Sequence, residues 1–91
     1  MFNYERNGTT HTLPFNPELC GFSYSHCKCE YVKFKKDTGD RELQLSFYTN
    51  KKKVNLDTTR KEENRSFHES TRTLQGYPEN QIDLEQILST I

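Results

Sequence analysis

Hydrophobic and polar positions alternate with a period of two through the middle of the chain. Val32 and Phe34 are interleaved with charged or polar residues, and so are Leu43, Leu45 and Phe47. Such alternation marks half-buried strands. DTGD, residues 37 to 40, separates the two runs as a turn. Side chains directly opposite in an antiparallel pair share a face. A hairpin with Thr38-Gly39 or Asp37 to Asp40 at its tip then sets Phe34 against Leu43 and Val32 against Leu45. The same register places Lys35 opposite Glu42 and Lys33 opposite Gln44 on the solvent side.

Residues 2 to 13 predict a second hairpin around Asn7-Gly8, because a type I′ turn needs positive φ at both central positions. Its register pairs Tyr4 with His11 and Phe2 with Leu13 on one face. Glu5 with Thr10 and Asn3 with Thr12 occupy the other. Pro14 and Asn16-Pro17 end the pairing, since proline has no N–H and keeps its predecessor extended. Phe22, Tyr24 and His26 alternate as a further strand. Continued unbroken to Val32, that parity would bury Lys28 and Glu30, so a bulge or break is expected between His26 and Tyr31.

After Asn50, Val54 and Leu56 resume the alternation, pairing Phe47 with Val54 and Leu45 with Leu56 in a meander. Residues 58 to 73 carry one large apolar side chain, Phe67, among many charges. Thr59 and Glu62 fit a capping box, but a helix there has no apolar face to bury, so the segment reads as a charged mobile loop. Residues 80 to 91 predict a C-terminal helix. Asp83 is its N-cap, Gln86 sits at N3, and Leu84, Ile87, Leu88 and Ile91 form one stripe.

Composition narrows the fold to one small, mainly β (α+β) domain spanning residues 1 to 91. The expectation is an antiparallel meander sheet or small barrel of four to six strands closed by one helix. Of 91 residues, 19 are Leu, Ile, Val or Phe, while Ala and Trp are absent. Eleven Phe and Tyr must therefore supply much of the core, which suits strands. No apolar run is long enough to span a bilayer and no leader-like segment opens the chain. Three cysteines cannot all pair within one chain, so reduced thiols in a cytoplasmic setting are expected. Asn7-Gly8-Thr9 and Asn64-Arg65-Ser66 match the glycosylation pattern, and without an export signal they read as chance.

Three constellations carry candidate chemistry. Cys20, His26, Cys27 and Cys29 are candidate zinc ligands, with His11 and His68 elsewhere in the chain. No Cys-x-x-Cys knuckle is present, and Cys27 and Cys29 would share one side of a strand. The favoured reading is free thiols acting as small hydrophobes, with no cofactor. A nucleophilic cysteine with a histidine base would also need an orienting group, an oxyanion hole and a deep pocket, for which so short a chain has little room. The third constellation is basic and aromatic. Lys28 to Arg72 holds twelve Lys and Arg against eight Asp and Glu, a net of +4 balanced by −4 elsewhere. Tyr31, Lys33, Lys35, Tyr48, Lys51, Lys52 and Lys53 fall on the solvent face or at its turns. These seven are the candidate binding residues. Exposed aromatics on a polar scaffold of mixed charge fit a protein interface.

The expectation is accordingly a non-catalytic protein-binding module. A small inhibitor or adaptor of a larger enzyme, of viral or mobile-element accessory type in a host cytoplasm, fits the size. The alternative is a small barrel stacking single-stranded nucleic acid on its tyrosines. Interleaved carboxylates weaken that alternative, because phosphate neutralisation requires an unbalanced positive patch.

Overall fold

A computed structural model describes residues 1 to 28 and 30 to 90; Cys29 and Ile91 lie outside the described residues. Strands β1 (Phe2–Arg6) and β2 (Thr9–Leu13) form one hairpin. Strands β3 (Ser23–Cys27), β4 (Val32–Asp37), β5 (Arg41–Tyr48), β6 (Lys53–Glu62) and β7 (Arg65–Thr73) form a five-stranded meander. A 3-10 helix, Pro17–Cys20, links the two sheets, and α1 (Gln81–Leu88) closes the chain. The meander is open, with β3 and β7 at its edges, so the barrel variant of the expected fold does not form among the described residues.

Turn chemistry decides register. Asn7 and Gly8 have φ of 52° and 78°, the left-handed pair that a type I′ turn requires. Tyr4 then opposes His11 and Phe2 opposes Leu13, as the sequence predicts. The β4–β5 hairpin differs from expectation by two residues. Phe34 opposes Leu45, Val32 opposes Phe47, Lys35 opposes Gln44 and Asp37 opposes Glu42. The physical reason lies at the tip. Gly39, at φ 98°, is the first central residue of a two-residue loop completed by Asp40. The Asp37 carboxylate accepts the Gly39 N–H at 2.8 Å, and Thr38 N–H donates to the Arg41 carbonyl at 2.9 Å. A shift of two preserves parity, so the predicted core face survives the changed pairing.

β5 and β6 pair in the expected register, Leu45 with Leu56 and Phe47 with Val54. Residues 58 to 73 are not a loop. They complete β6, turn at residues 63 and 64, and return as β7. All nine residues of β7 are exposed, so the segment indeed has no apolar face. Backbone pairing to β6 and cross-strand contacts, such as the Arg60 guanidinium 5.7 Å above the Phe67 ring, hold it instead. The irregularity expected between His26 and Tyr31 falls earlier, between Tyr24 and His26. Beyond β3, Lys28 and Tyr31 exchange backbone hydrogen bonds of 2.8 and 3.3 Å.

One face of the meander is the core. Val32, Phe34, Leu45 and Phe47 are fully buried there, with Val54 and Leu56 beside them. The β1–β2 hairpin and the following segment cover them: Phe2 meets Phe34 edge-on at 5.0 Å and Phe15 meets Phe47 at 4.9 Å. Leu84 of α1 completes the cluster. The helix is capped by Asn80 rather than Asp83. Asn80 Oδ1 accepts the Asp83 N–H at 2.9 Å, and the Asp83 carboxylate accepts the Glu79 N–H at 3.3 Å. Asn80 suits an N-cap as well as Asp83 does, and Asp83 then falls at N3, where its carboxylate takes the N–H of the residue before the cap. The Gln81 side chain also clamps Asn16, accepting from its N–H at 2.6 Å and donating to its carbonyl at 3.2 Å.

Candidate functional site: the aromatic and basic outer face

The opposite face of the meander carries the candidate interface. Tyr31, immediately before β4, and Tyr48, at the end of β5, become neighbours because Val32 opposes Phe47. Their ring centroids lie 5.5 Å apart. Lys33 is the next outward residue of β4, and its amine sits 5.4 Å above the Tyr31 ring. Lys53 opposes Tyr48 across the β5–β6 turn, with its amine 4.9 Å above that ring. His26 of β3 opposes Lys33 and meets Tyr31 edge-on at 6.0 Å. Ser46 opposes Lys33 and is buried. A continuous patch thus spans four strands, with aromatic carbon at its centre and amines over the rings.

Its electrostatics are positive. The His26 imidazole is held below its usual pKa, first by desolvation and then by the amines of Lys33, Lys28 and Lys35. Burial disfavours the imidazolium, and like charges nearby disfavour it further. Its Nδ1 and the Ser25 hydroxyl lie 2.8 Å apart, within hydrogen-bond reach.

The seven candidate residues do not all converge. Tyr31, Lys33, Tyr48 and Lys53 form the patch. Lys35 lies two residues further along β4, opposite Gln44 and Ser23. Lys51 is exposed at the β5–β6 turn. Lys52 leaves this face altogether: its backbone is left-handed, at φ 53°, and its amine lies 5.1 Å above Tyr77 on the core side of the sheet. Alternation along a strand could not reveal this, because side-chain direction within a turn follows local φ rather than parity. His26 was identified from sequence only as a metal candidate; its alternation with Tyr24 was the signal linking it to the sheet.

The candidate metal ligands are dispersed. Cys20 ends the 3-10 helix, where the Gln81 amide approaches its sulfur at 3.9 Å, and burial pushes its thiol pKa up. Cys27 ends β3 and donates its S–H to the Glu5 carbonyl at 3.1 Å. The whole of β3 separates the two, roughly 16 Å at 3.3 Å per residue, and both thiols are free. Cys29 lies outside the described residues. His68 is on β7, with Nε2 2.7 Å from the Thr71 hydroxyl; His11 stacks on Tyr4 at 5.4 Å. Among the described residues, no three His, Cys, Asp or Glu side chains are grouped so as to hold a metal ion. Among the described residues, no helix is long and apolar enough to cross a membrane.

No protein-family model, curated protein or solved structure matches the chain.

Proposed function

We propose that this chain is a non-catalytic protein-binding module whose docking surface is the Tyr31–Tyr48 patch, working in the cytoplasm as a small inhibitor or adaptor of a larger protein. The observation that carries the reading is the paired tyrosines ringed by Lys33, Lys53 and His26 on the face of the sheet opposite the core. Rigid tyrosines bring large contact area with little conformational entropy to lose, and they concentrate binding energy at the centres of interfaces. The surrounding amines suit a partner with carboxylates around an apolar centre, steering encounter as well as fixing orientation.

The same geometry weighs against single-stranded nucleic acid. A base stacks on an uncovered ring face, whereas each of these rings already has a lysine amine above it and its neighbour's ring at its side.

Capture from extracts of the native host, compared between wild type and a Tyr31→Ala/Tyr48→Ala variant, tests the reading. One protein species should be enriched by wild type and lost with the variant. Lys33→Glu/Lys53→Glu should lose it as well while leaving the tyrosines and the fold in place. Equal capture by all three chains would refute the assignment of the patch.

A further inference from the structure

Among the described residues, β7 pairs with β6 on one side and with no strand on the other. All nine of its residues are exposed. So long an edge carries a row of backbone donors and acceptors that can template a further strand. The ladder shows which groups these are. Leu74 N–H donates to the Val54 carbonyl at 2.8 Å, and Lys61 N–H donates to the Asp40 carbonyl at 2.7 Å. Backbone direction alternates along an antiparallel strand. Even-numbered residues of β6 therefore point their backbone at β7, and odd-numbered ones point theirs at β5. By the β6–β7 register, Arg72, Ser70, Phe67 and Arg65 face β6. Thr73, Thr71, His68 and Ser66 turn their N–H and C=O groups outward.

We propose that β7 is a homodimerisation edge, pairing antiparallel with β7 of a second copy about a two-fold axis between Glu69 and Ser70. A bulge selects the occupant. Thr58 opposes Ser70 while Thr59 opposes His68, so Glu69 is the extra residue of β7. The outward residues His68 and Thr71 are thereby three positions apart, where a regular strand repeats every two. An ordinary extended peptide loses register at that step, which is how bulges protect edges. A second copy meets the bulge with its own. His68 then opposes Thr71 of the second copy, and Ser66 opposes its Thr73. Symmetry repeats both pairs, so all four outward residues of each strand can exchange both N–H···O bonds.

The side chains agree with this register. Phe67 and Arg72 lie opposite Arg60 and Leu56, so both project on the core side of the sheet. Phe67 is a large exposed hydrophobic. Among the described residues Arg72 makes no ion pair. In the dimer each Arg72 falls opposite Phe67 of the other copy, within reach of a cation–π contact. Glu69 of that copy is its diagonal neighbour. That carboxylate has one oxygen on Arg41 Nε at 2.8 Å, and its other oxygen can accept. Other axes fit worse. An axis through Glu69 or Arg72 sets that charge against its own copy, and one through Phe67 leaves Thr71 and Thr73 without partners.

A two-fold perpendicular to the sheet keeps outer face beside outer face, so both Tyr31–Tyr48 patches open on one side. The isologous contact closes on itself and does not propagate. Two docking patches on one side bind a repeated partner by avidity, although the dimer itself does not depend on what those patches bind.

Sedimentation equilibrium of the full chain, from about 10 µM to about 1 mM, tests the proposal. A monomer–dimer equilibrium with no larger species is expected. Isotope-filtered NMR on mixed labelled and unlabelled chains should show contacts between Phe67 of one copy and Arg72 of the other. Ser66→Pro removes an outward donor at a position where an edge strand tolerates proline. It should weaken dimerisation about tenfold and leave the melting temperature of the dilute monomer unchanged. Arg72→Glu keeps every backbone donor and should weaken dimerisation as well. The Tyr31→Ala/Tyr48→Ala variant should dimerise as wild type does, which separates this edge from the docking patch. A chain that stays monomeric throughout, or intermolecular contacts that join Phe67 to Phe67 or lie on other strands, would overturn the proposal. So would undiminished dimerisation in both Ser66→Pro and Arg72→Glu, or its loss in the tyrosine variant.

Discussion

Phe34→Ala is the perturbation that most severely loads the packing described above. The ring is fully buried in the middle of the core face. It meets Phe2 at 5.0 Å, Phe47 at 5.7 Å and Tyr24 at 5.8 Å, each close to edge-on. Truncation removes the transfer free energy of the ring and leaves a cavity that three anchored neighbours cannot close. Buried Phe→Ala changes cost about 3–5 kcal/mol. The loss of three edge-on pairs, each worth about 0.5–1.5 kcal/mol beyond area burial, places this site toward the upper part of that range. A domain of this size has roughly 5–14 kcal/mol in total, so the variant should keep its fold only marginally at 25 °C. Urea titration followed by far-UV circular dichroism should show a large fall in midpoint with little change in slope. Phe34→Leu, which restores most of the volume, should lose only about 1–1.5 kcal/mol. A loss below about 1 kcal/mol for Phe34→Ala would refute the reasoning, because it would mean that the ring is not enclosed as described.

Three further outcomes follow from other parts of the fold. Asn80→Ala removes the acceptor of the Asp83 N–H and should cost about 1 kcal/mol in the same titration; an unchanged midpoint would return the cap to Asp83. The Tyr77 phenol titrates at about 12 in the folded chain against about 10 unfolded. A raised folded pKa means the stabilisation is whole below pH 10 and is lost as pH rises toward 12; Tyr77→Phe should flatten that part of the stability–pH curve. In hydrogen exchange, β5 amides such as Leu45 and Phe47 should be the most protected, and those of the wholly exposed β7 should exchange through local opening. Equal protection of β5 and β7 would contradict the view that β7 is held by backbone pairing to β6 and exposed side-chain contacts rather than by core burial.

Most of the sheet was legible because alternation and turn chemistry agreed. Asn7-Gly8 admits one tight turn, so every pair of β1–β2 could be read directly. At DTGD the parity was readable but the tip was not, since Gly39 can serve at either central position and the Asp37 side chain decides between them. Residues 58 to 73 were misread for a different reason. Period-two reasoning detects a strand by the face it buries, and β7 buries none. What remained there was β propensity, with threonines at 58, 59, 71 and 73 around Phe67, a weaker signal than the charges that masked it. Phe15, fully buried between two prolines, lay outside any periodic segment and could not be assigned to the core from pattern. The outer patch was half legible: strand parity placed Tyr31, Lys33 and Tyr48, but only the turn geometry at Lys52 showed that adjacent lysines serve opposite faces.

The reading of the outer patch as a protein-docking surface is tested most directly by covalent trapping. Tyr48 is replaced with benzoylphenylalanine, which keeps an aromatic ring at the centre of the patch, and the chain is irradiated in native host extract. A control carries the same photoreactive residue at exposed Thr10 on β2. The expected result is one discrete adduct specific to position 48, destroyed by protease treatment of the trapped partner and untouched by nuclease. A nuclease-sensitive adduct at position 48, or the same adducts from position 10, would contradict the account.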